Sequence, residues 1–180
     1  ILLLNDGRFA IHVGGVNNIN IVILDAEGNR VKEFPLKKEP LPVLIGQAAC
    51  LGEYNGDLYF SNPLDLCIYK IEDDEQVPWL SFDFENKKEL EQLLEISNKE
   101  EFVKQFKDYK GVTNLAHWTI YNDKVIGTTN VQKTYCYDLR NKETFYFNEI
   151  EGIEKILFVS PWFVSPNGEA ASYITAQSIF

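Results

Sequence analysis

The sequence predicts an all-β fold made of repeated four-stranded units with one helical interruption. Three observations predict it. Short β-branched and aromatic runs alternate with Asn-, Asp- and Gly-containing turns along most of the 180 residues. The turn markers Asp6, Gly56, Asp123 and Gly168 recur at spacings of 50, 67 and 45 residues. The one long interval is the one that holds a helical pattern, from Asn86 to Lys110. A period of roughly 40–50 residues with about four strands is that of β-propeller blades. A twisted sheet has two faces to cover, and radial stacking covers each with a neighbour. A β-sandwich of short strands is the alternative, and it requires no repeat.

The elements follow in order. Leu2–Leu4 leads through Asn5-Asp6-Gly7 to a strand over Phe9–Val13, and Ile19–Leu24 is a second β-branched run. Asp25 to Asn29 turns the chain into Val31–Phe34, since Asp and Asn bond their own backbone and Gly accepts positive φ. Pro35, Pro40 and Pro42 then mark a connection that cannot be a central strand. The second unit reads Cys50–Tyr54, the turn Asn55-Gly56-Asp57, Leu58–Phe60, the loop Ser61–Asp65, Leu66–Ile71, the acidic turn Glu72–Glu75 and Val77–Phe84. The third reads Trp118–Tyr121, Asn122-Asp123-Lys124, Val125–Thr128, a loop, Thr134–Asp138, the turn Leu139–Glu143 and Thr144–Phe147. Superposed, Tyr54 falls on Tyr121 and Asn55 on Asn122; after a one-residue slip, Tyr69 falls on Tyr137 and Ile71 on Leu139. A fourth unit begins at Trp162–Val164, turns at Ser165 to Gly168 and returns through Ala171–Ile174.

Between the second and third units, Leu90, Leu93 and Leu94 share one helical face and Phe102, Val103 and Phe106 another. Ser97 with Glu100 reads as a capping box, which starts a second helix. Two short amphipathic helices are expected over about 86–110, with their apolar stripes packed on the sheet edges or serving as a lid. Residues 1–180 thus read as part of one propeller domain with a helical insertion. Four units, the outer two incomplete, and a chain without methionine predict that further blades belong to a longer protein.

Seventeen basic against 27 acidic residues leave a net charge of −10. That balance argues against nucleic acid and anionic membrane surfaces as partners. No apolar run is long enough to span a bilayer. Cys50, Cys67 and Cys136 match no metal motif and read as buried free thiols acting as small hydrophobes. His12 and His117 lack the spacing of metal ligands and read as structural. Glu72 to Glu75 lacks the alternation of a calcium loop and reads as a solvated turn. Asp83 and Glu85 alternate at a strand end with nothing to split their acidities. Most of the 24 aromatic residues read as core, with Tyr59, Trp79 and Trp162 as ligand-stacking candidates near loops. No catalytic residue and no metal site is assigned.

The stretch Ile19–Phe34, INIVILDAEGNRVKEF, resembles the end of an NHL-type propeller repeat. Leu58–Phe84, LYFSNPLDLCIYKIEDDEQVPWLSFDF, resembles the signature of six-bladed β-propeller proteins of Bacteroidetes, in which an "lyf…ld..iY.i" strand pair leads to an "idFg"-like strand and a polar helical insertion. Glu85 stands where that pattern has glycine. The resemblance covers nearly the whole chain as the C-terminal half of such a protein. It implies a fold that is six-bladed when complete. It also implies an extracytoplasmic location, in the periplasm or as an outer-membrane lipoprotein whose lipid anchor lies N-terminal to this sequence. The function expected is a non-enzymatic binding module of the cell envelope, with a carbohydrate, a peptide or an envelope protein as partner and no cofactor. The rival is an NHL- or lactonase-like hydrolase with a calcium ion in the central channel. Asn62, Asp65, Asn130 and Gln132, at equivalent loop positions of two repeats, are the candidate ligand-binding residues; ordinary turn roles are the alternative.

Overall fold

In a computed structural model, the structure describes residues 1–13, 19–35, 50–131, 133–147, 163–164 and 170–171. The chain divides into two compact units, Ile1–Thr113 and Asn114–Phe180.

The first unit contains two four-stranded antiparallel sheets. Strands β1 (Leu2–Leu3), β2 (Phe9–His12), β3 (Ile19–Leu24) and β4 (Arg30–Pro35) pair in sequence order. So do β5 (Cys50–Tyr54), β6 (Asp57–Ser61), β7 (Cys67–Glu72) and β8 (Glu75–Ser81). Pro35 ends β4 and Pro78 lies in β8, both edge strands, where a missing N–H leaves no ladder bond unmade. One apolar core joins the two sheets: Leu4, Ala10, Ile21, Ile23 and Phe34 with Leu58 and Phe60, all buried. Each of the Leu, Ile and Phe side chains contributes roughly 1.5–3 kcal/mol when fully buried. The Phe60 and Tyr69 rings stack with centroids 5.3 Å apart.

The turns follow from residue chemistry. Asn55 and Gly56, Asp73 and Asp74, and Asn122 and Asp123 all have positive φ, as two-residue type I′ hairpins require. Glu72 and Glu75 are therefore strand residues paired with each other, and only Asp73 and Asp74 form the acidic turn. Asp74 is ion-paired to Lys32 and Glu72 to Lys70. Strand β8 stops at Ser81, short of the expected Phe84, although the Phe82 N–H still donates to the Leu66 carbonyl at 2.9 Å. Asp83 and Glu85 lie beyond the strand and are exposed.

Helices α1 (Lys87–Leu94) and α2 (Lys99–Asp108) fill the insertion. Leu90, Leu93 and Phe102 are buried, so packing uses the apolar stripes. The cap of α2 is Asn98 rather than Ser97. Its side-chain oxygen accepts from the Glu100 and Glu101 N–H groups, at 3.0 and 3.1 Å, which are the second and third donors of a helix starting at Lys99. The Tyr109 hydroxyl donates to the Asn86 carbonyl at 3.1 Å and ties the end of the insertion to its beginning.

The second unit holds β9 (Leu115–Tyr121), β10 (Lys124–Thr129), β11 (Thr134–Asp138) and β12 (Glu143–Phe147), again in sequence order, and the pair β13 (Phe163–Val164) with β14 (Ala170–Ala171). Its buried side chains include Leu115, Trp118, Val125 and Tyr135. Pairing corrects the repeat alignment. Counted from the first hairpin of each sheet, Phe60 corresponds to Gly127, and these face Tyr69 and Tyr135. Tyr69 is thus the counterpart of Tyr135, not of Tyr137, and Ile71 is not the counterpart of Leu139. Trp162 lies outside the described residues.

Candidate functional site

The polar feature of the first unit begins with an irregularity in β3. Ile19 pairs with Pro35 and Ile21 with Phe34, so Asn20 is an extra residue, a β-bulge. Bulges re-aim side chains and recur beside functional sites. Asn20 is completely buried, a carboxamide in the otherwise apolar run INIVIL. Its carbonyl accepts from the Val13 N–H at 2.9 Å, which anchors the bulge.

Four side chains from both sheets meet here. Asn20 Nδ2 donates to Asn62 Oδ1 at 3.1 Å and to Gln76 Oε1 at 3.3 Å. Gln76, itself buried, donates from Nε2 to the Pro35 carbonyl at 2.5 Å. The His12 imidazole faces both Asn20 and Asn62; burial pushes its pKa below the ordinary value, against the raising effect of those two amides. Asn20 and Gln76 form a deep layer, while His12 and Asn62 remain partly exposed. Asn20 Oδ1, fully enclosed, has no hydrogen-bond partner. A buried acceptor left unpaired costs about 1–3 kcal/mol.

The four residues singled out from sequence have separate positions. Asn62 belongs to this cluster. Asp65 accepts the Tyr69 hydroxyl at 2.7 Å, and burial followed by that bond pushes the Tyr69 pKa far above its ordinary value. In the second unit, Asn130 Oδ1 accepts the Asn114 N–H at 3.2 Å. Counted along the strands, Asn62 corresponds to Thr129 and Asn130 lies one residue further, where β10 shifts register against β9. Gln132 lies outside the described residues. Asn114 repeats the pattern of Asn20, being buried with an unpartnered Oδ1. Sequence reasoning passed over Asn20, Gln76 and Asn114, and read His12 as structural. The available signal was a single amide inside a β-branched run.

Other polar groups serve structure. Asp138 accepts from Lys124 Nζ at 2.5 Å and from the Arg140 and Asn141 N–H groups, which lower its pKa to about 2, the Lys124 bond most strongly. Burial raises the Cys136 thiol, away from thiolate reactivity. Trp79 lies against Tyr59 with ring centroids 4.4 Å apart. Cys50, Cys67 and Cys136 form no disulfide; Cys67 is buried as expected, whereas Cys50 and Cys136 are only half-buried. Among the described residues, no three His, Cys, Asp or Glu side chains gather as metal ligands do. No helix among them is long and apolar enough to cross a membrane.

Residues 8–156 match the family model DUF5128, described as "6-bladed beta-propeller". The chain belongs to this family. Each four-stranded sheet is accordingly a blade, and among the described residues three complete ones begin at β1, β5 and β9. The chain is also similar to a crystal structure from Bacteroides fragilis NCTC 9343, named "Putative exported protein", at 16% identity and a TM-score of 0.48. The alignment covers 81% of this chain and 44% of that one, so the chain spans less than half of that protein. No curated protein matches. The bulged amide cluster thus joins two consecutive blades of a propeller whose function the family description does not state.

Proposed function

We propose that this propeller is a non-enzymatic ligand- or partner-binding module located outside the cytoplasm, at the bacterial cell envelope. The observation that carries the reading is the cluster of His12, Asn20, Asn62 and Gln76. It joins two blades through neutral groups and exposes two of them. Carboxamides neither take up nor release protons near neutral pH, so they orient a ligand without moving its protons. The imidazole faces amides, which supply hydrogen bonds but not the carboxylate that orients a histidine base in a triad. Tyr69 and Cys136 are both held in their protonated forms. The envelope location rests on the likeness of Leu58–Phe84 to the Bacteroidetes propellers.

Two experiments test this. Fractionation of cells producing the full-length protein should place it with the envelope; recovery in the cytosol overturns the location. Incubation with candidate glycans and peptides, followed by mass spectrometry, should return each compound unchanged. Time-dependent conversion that a His12→Ala variant lacks would overturn the non-enzymatic reading.

A further inference from the structure

We infer that the groove between α1 and α2 docks a basic segment of a partner protein, with one arginine or lysine side chain lying along Leu93 and Ile96 and its cation held by Glu89 and Asp108. This site shares no residue with the amide cluster and does not depend on it. The groove is open and measures about 570 Å³, within the range of ligand pockets. Glu89 lies in the first turn of α1, and Asp108 is the last residue of α2. The Tyr109 hydroxyl, bonded to the Asn86 carbonyl at 3.1 Å, brings those two helix ends together, so both carboxylates line the same groove. Buried Leu93 and half-buried Ile96 and Tyr109 supply its apolar surface. The stem of an arginine or lysine covers such surface while its head stays with charge.

Charge complementarity selects the occupant. Neither Glu89 nor Asp108 has an ion pair or a hydrogen bond among the described residues, whereas Asp6, Asp57, Asp74, Asp123 and Asp138 each hold a cation. Lys110, which also lines the groove, reaches the Lys107 carbonyl at 3.3 Å instead. Asp108 stands at the C-terminus of α2, where the helix carbonyls concentrate negative charge and favour a cation. The Glu89 charge reaches Tyr109, whose pKa is raised by burial first and by that carboxylate second. An anion would meet like charge, and the whole protein, at −10, draws cationic partners. A metal ion would need further ligands, and no three such side chains gather among the described residues. The Asn86 and Gln92 carboxamides make no hydrogen bond among the described residues, and each offers both a donor and an acceptor. A peptide backbone matches that pair, whereas a free polyamine, all donors, leaves half of it unused.

The test uses the full-length protein with acetylated, amidated pentapeptides Ala-X-Arg-X-Ala, X ranging over the apolar residues, and spermidine as a cation without a peptide backbone. Binding is read by calorimetry and fluorescence anisotropy. At least one arginine peptide should bind saturably, and more weakly as salt rises. Its citrulline counterpart, the same shape without the charge, should bind at least about tenfold more weakly. Glu89→Gln and Asp108→Asn should each weaken the arginine peptide by about fivefold, as loss of one well-placed exposed ion pair does. Both residues are exposed, so the variants should fold, and Asp108→Asn should keep or raise Tm because it removes a negative charge from a helix C-terminus. Equal binding of the citrulline peptide overturns the ligand class. Peptide binding that both variants retain overturns the site. Spermidine binding as tightly as the best peptide overturns a protein segment as the occupant. Failure of every arginine peptide overturns the inference and leaves the amide cluster to its own titration.

Discussion

Replacing Gly127 with alanine should destabilise the third blade, and the structure indicates by how much. Gly127 lies in β10, an inner strand of its four-stranded sheet, opposite Trp118 of β9 and Tyr135 of β11. A Cβ built on it would lie 2.5 Å from Tyr135 Cζ and 2.6 Å from the His117 carbonyl oxygen. Real Cβ atoms do not approach so closely, so something must move. The Tyr135 ring is fully buried, and the His117 oxygen belongs to the backbone of the paired strand. Neither can yield without disturbing the sheet. Overpacking of this kind costs roughly 1–3 kcal/mol. Against it, alanine gains about 0.4–1 kcal/mol by restricting the unfolded chain. The clash wins, leaving a net loss of about 1–2 kcal/mol, or a fall in Tm of roughly 2–8 °C at this chain length. Thermal denaturation followed by near-ultraviolet circular dichroism measures it. An unchanged or raised Tm would refute the packing argument.

Three further outcomes follow from the polar network. Asp138 has a folded pKa of about 2, below its unfolded 3.8, so its stabilisation is complete above that unfolded value and is lost as pH falls toward 2. Acid titrations of stability should show this loss in the wild type and a smaller one in Asp138→Asn. His12 is likewise depressed below 6.5, so the wild type should lose stability as pH falls through and below that value, while His12→Gln should lose less over the same window. Tyr109→Phe removes the hydroxyl that holds the Asn86 carbonyl and should cost about 1 kcal/mol. Hydrogen exchange should then quicken in α1 while the β5–β8 sheet keeps its protection; uniform protection would contradict the tie.

Much of the fold was legible because its signals are local. The strand runs, the turn residues and the helical period each act within a few positions, and β3, β5 and β11 fall where the β-branched and aromatic runs place them. The bulges were not legible. Whether Ile19 or Asn20 pairs with Pro35 depends on β4, a partner distant in sequence, and the bulge decides which way Asn20 points. The same limit misaligned Tyr69 with Tyr137, since the true counterpart emerges only when Phe60 and Gly127 are matched through their hairpins. Asn98 against Ser97 was a contest between adjacent capping residues, settled by where the first turn of α2 begins. Of the site, Asn62 was legible as a loop amide. Its partner was not, because Asn20 reaches Asn62, and Gln76 beside it, across the interface of two blades.

The most direct test of the central claim, that the inter-blade amide cluster belongs to a binding module's ligand site, is a titration of uniformly 15N-labelled protein with the candidate glycans and uncharged peptides. The side-chain NH2 signals are assigned through Asn20→Asp, Asn62→Asp and Gln76→Glu variants. The account predicts saturable shifts of the Asn20 and Asn62 signals on one binding curve, with Gln105 of α2 unmoved. Saturable binding that shifts signals elsewhere and leaves Asn20 and Asn62 in place would contradict it.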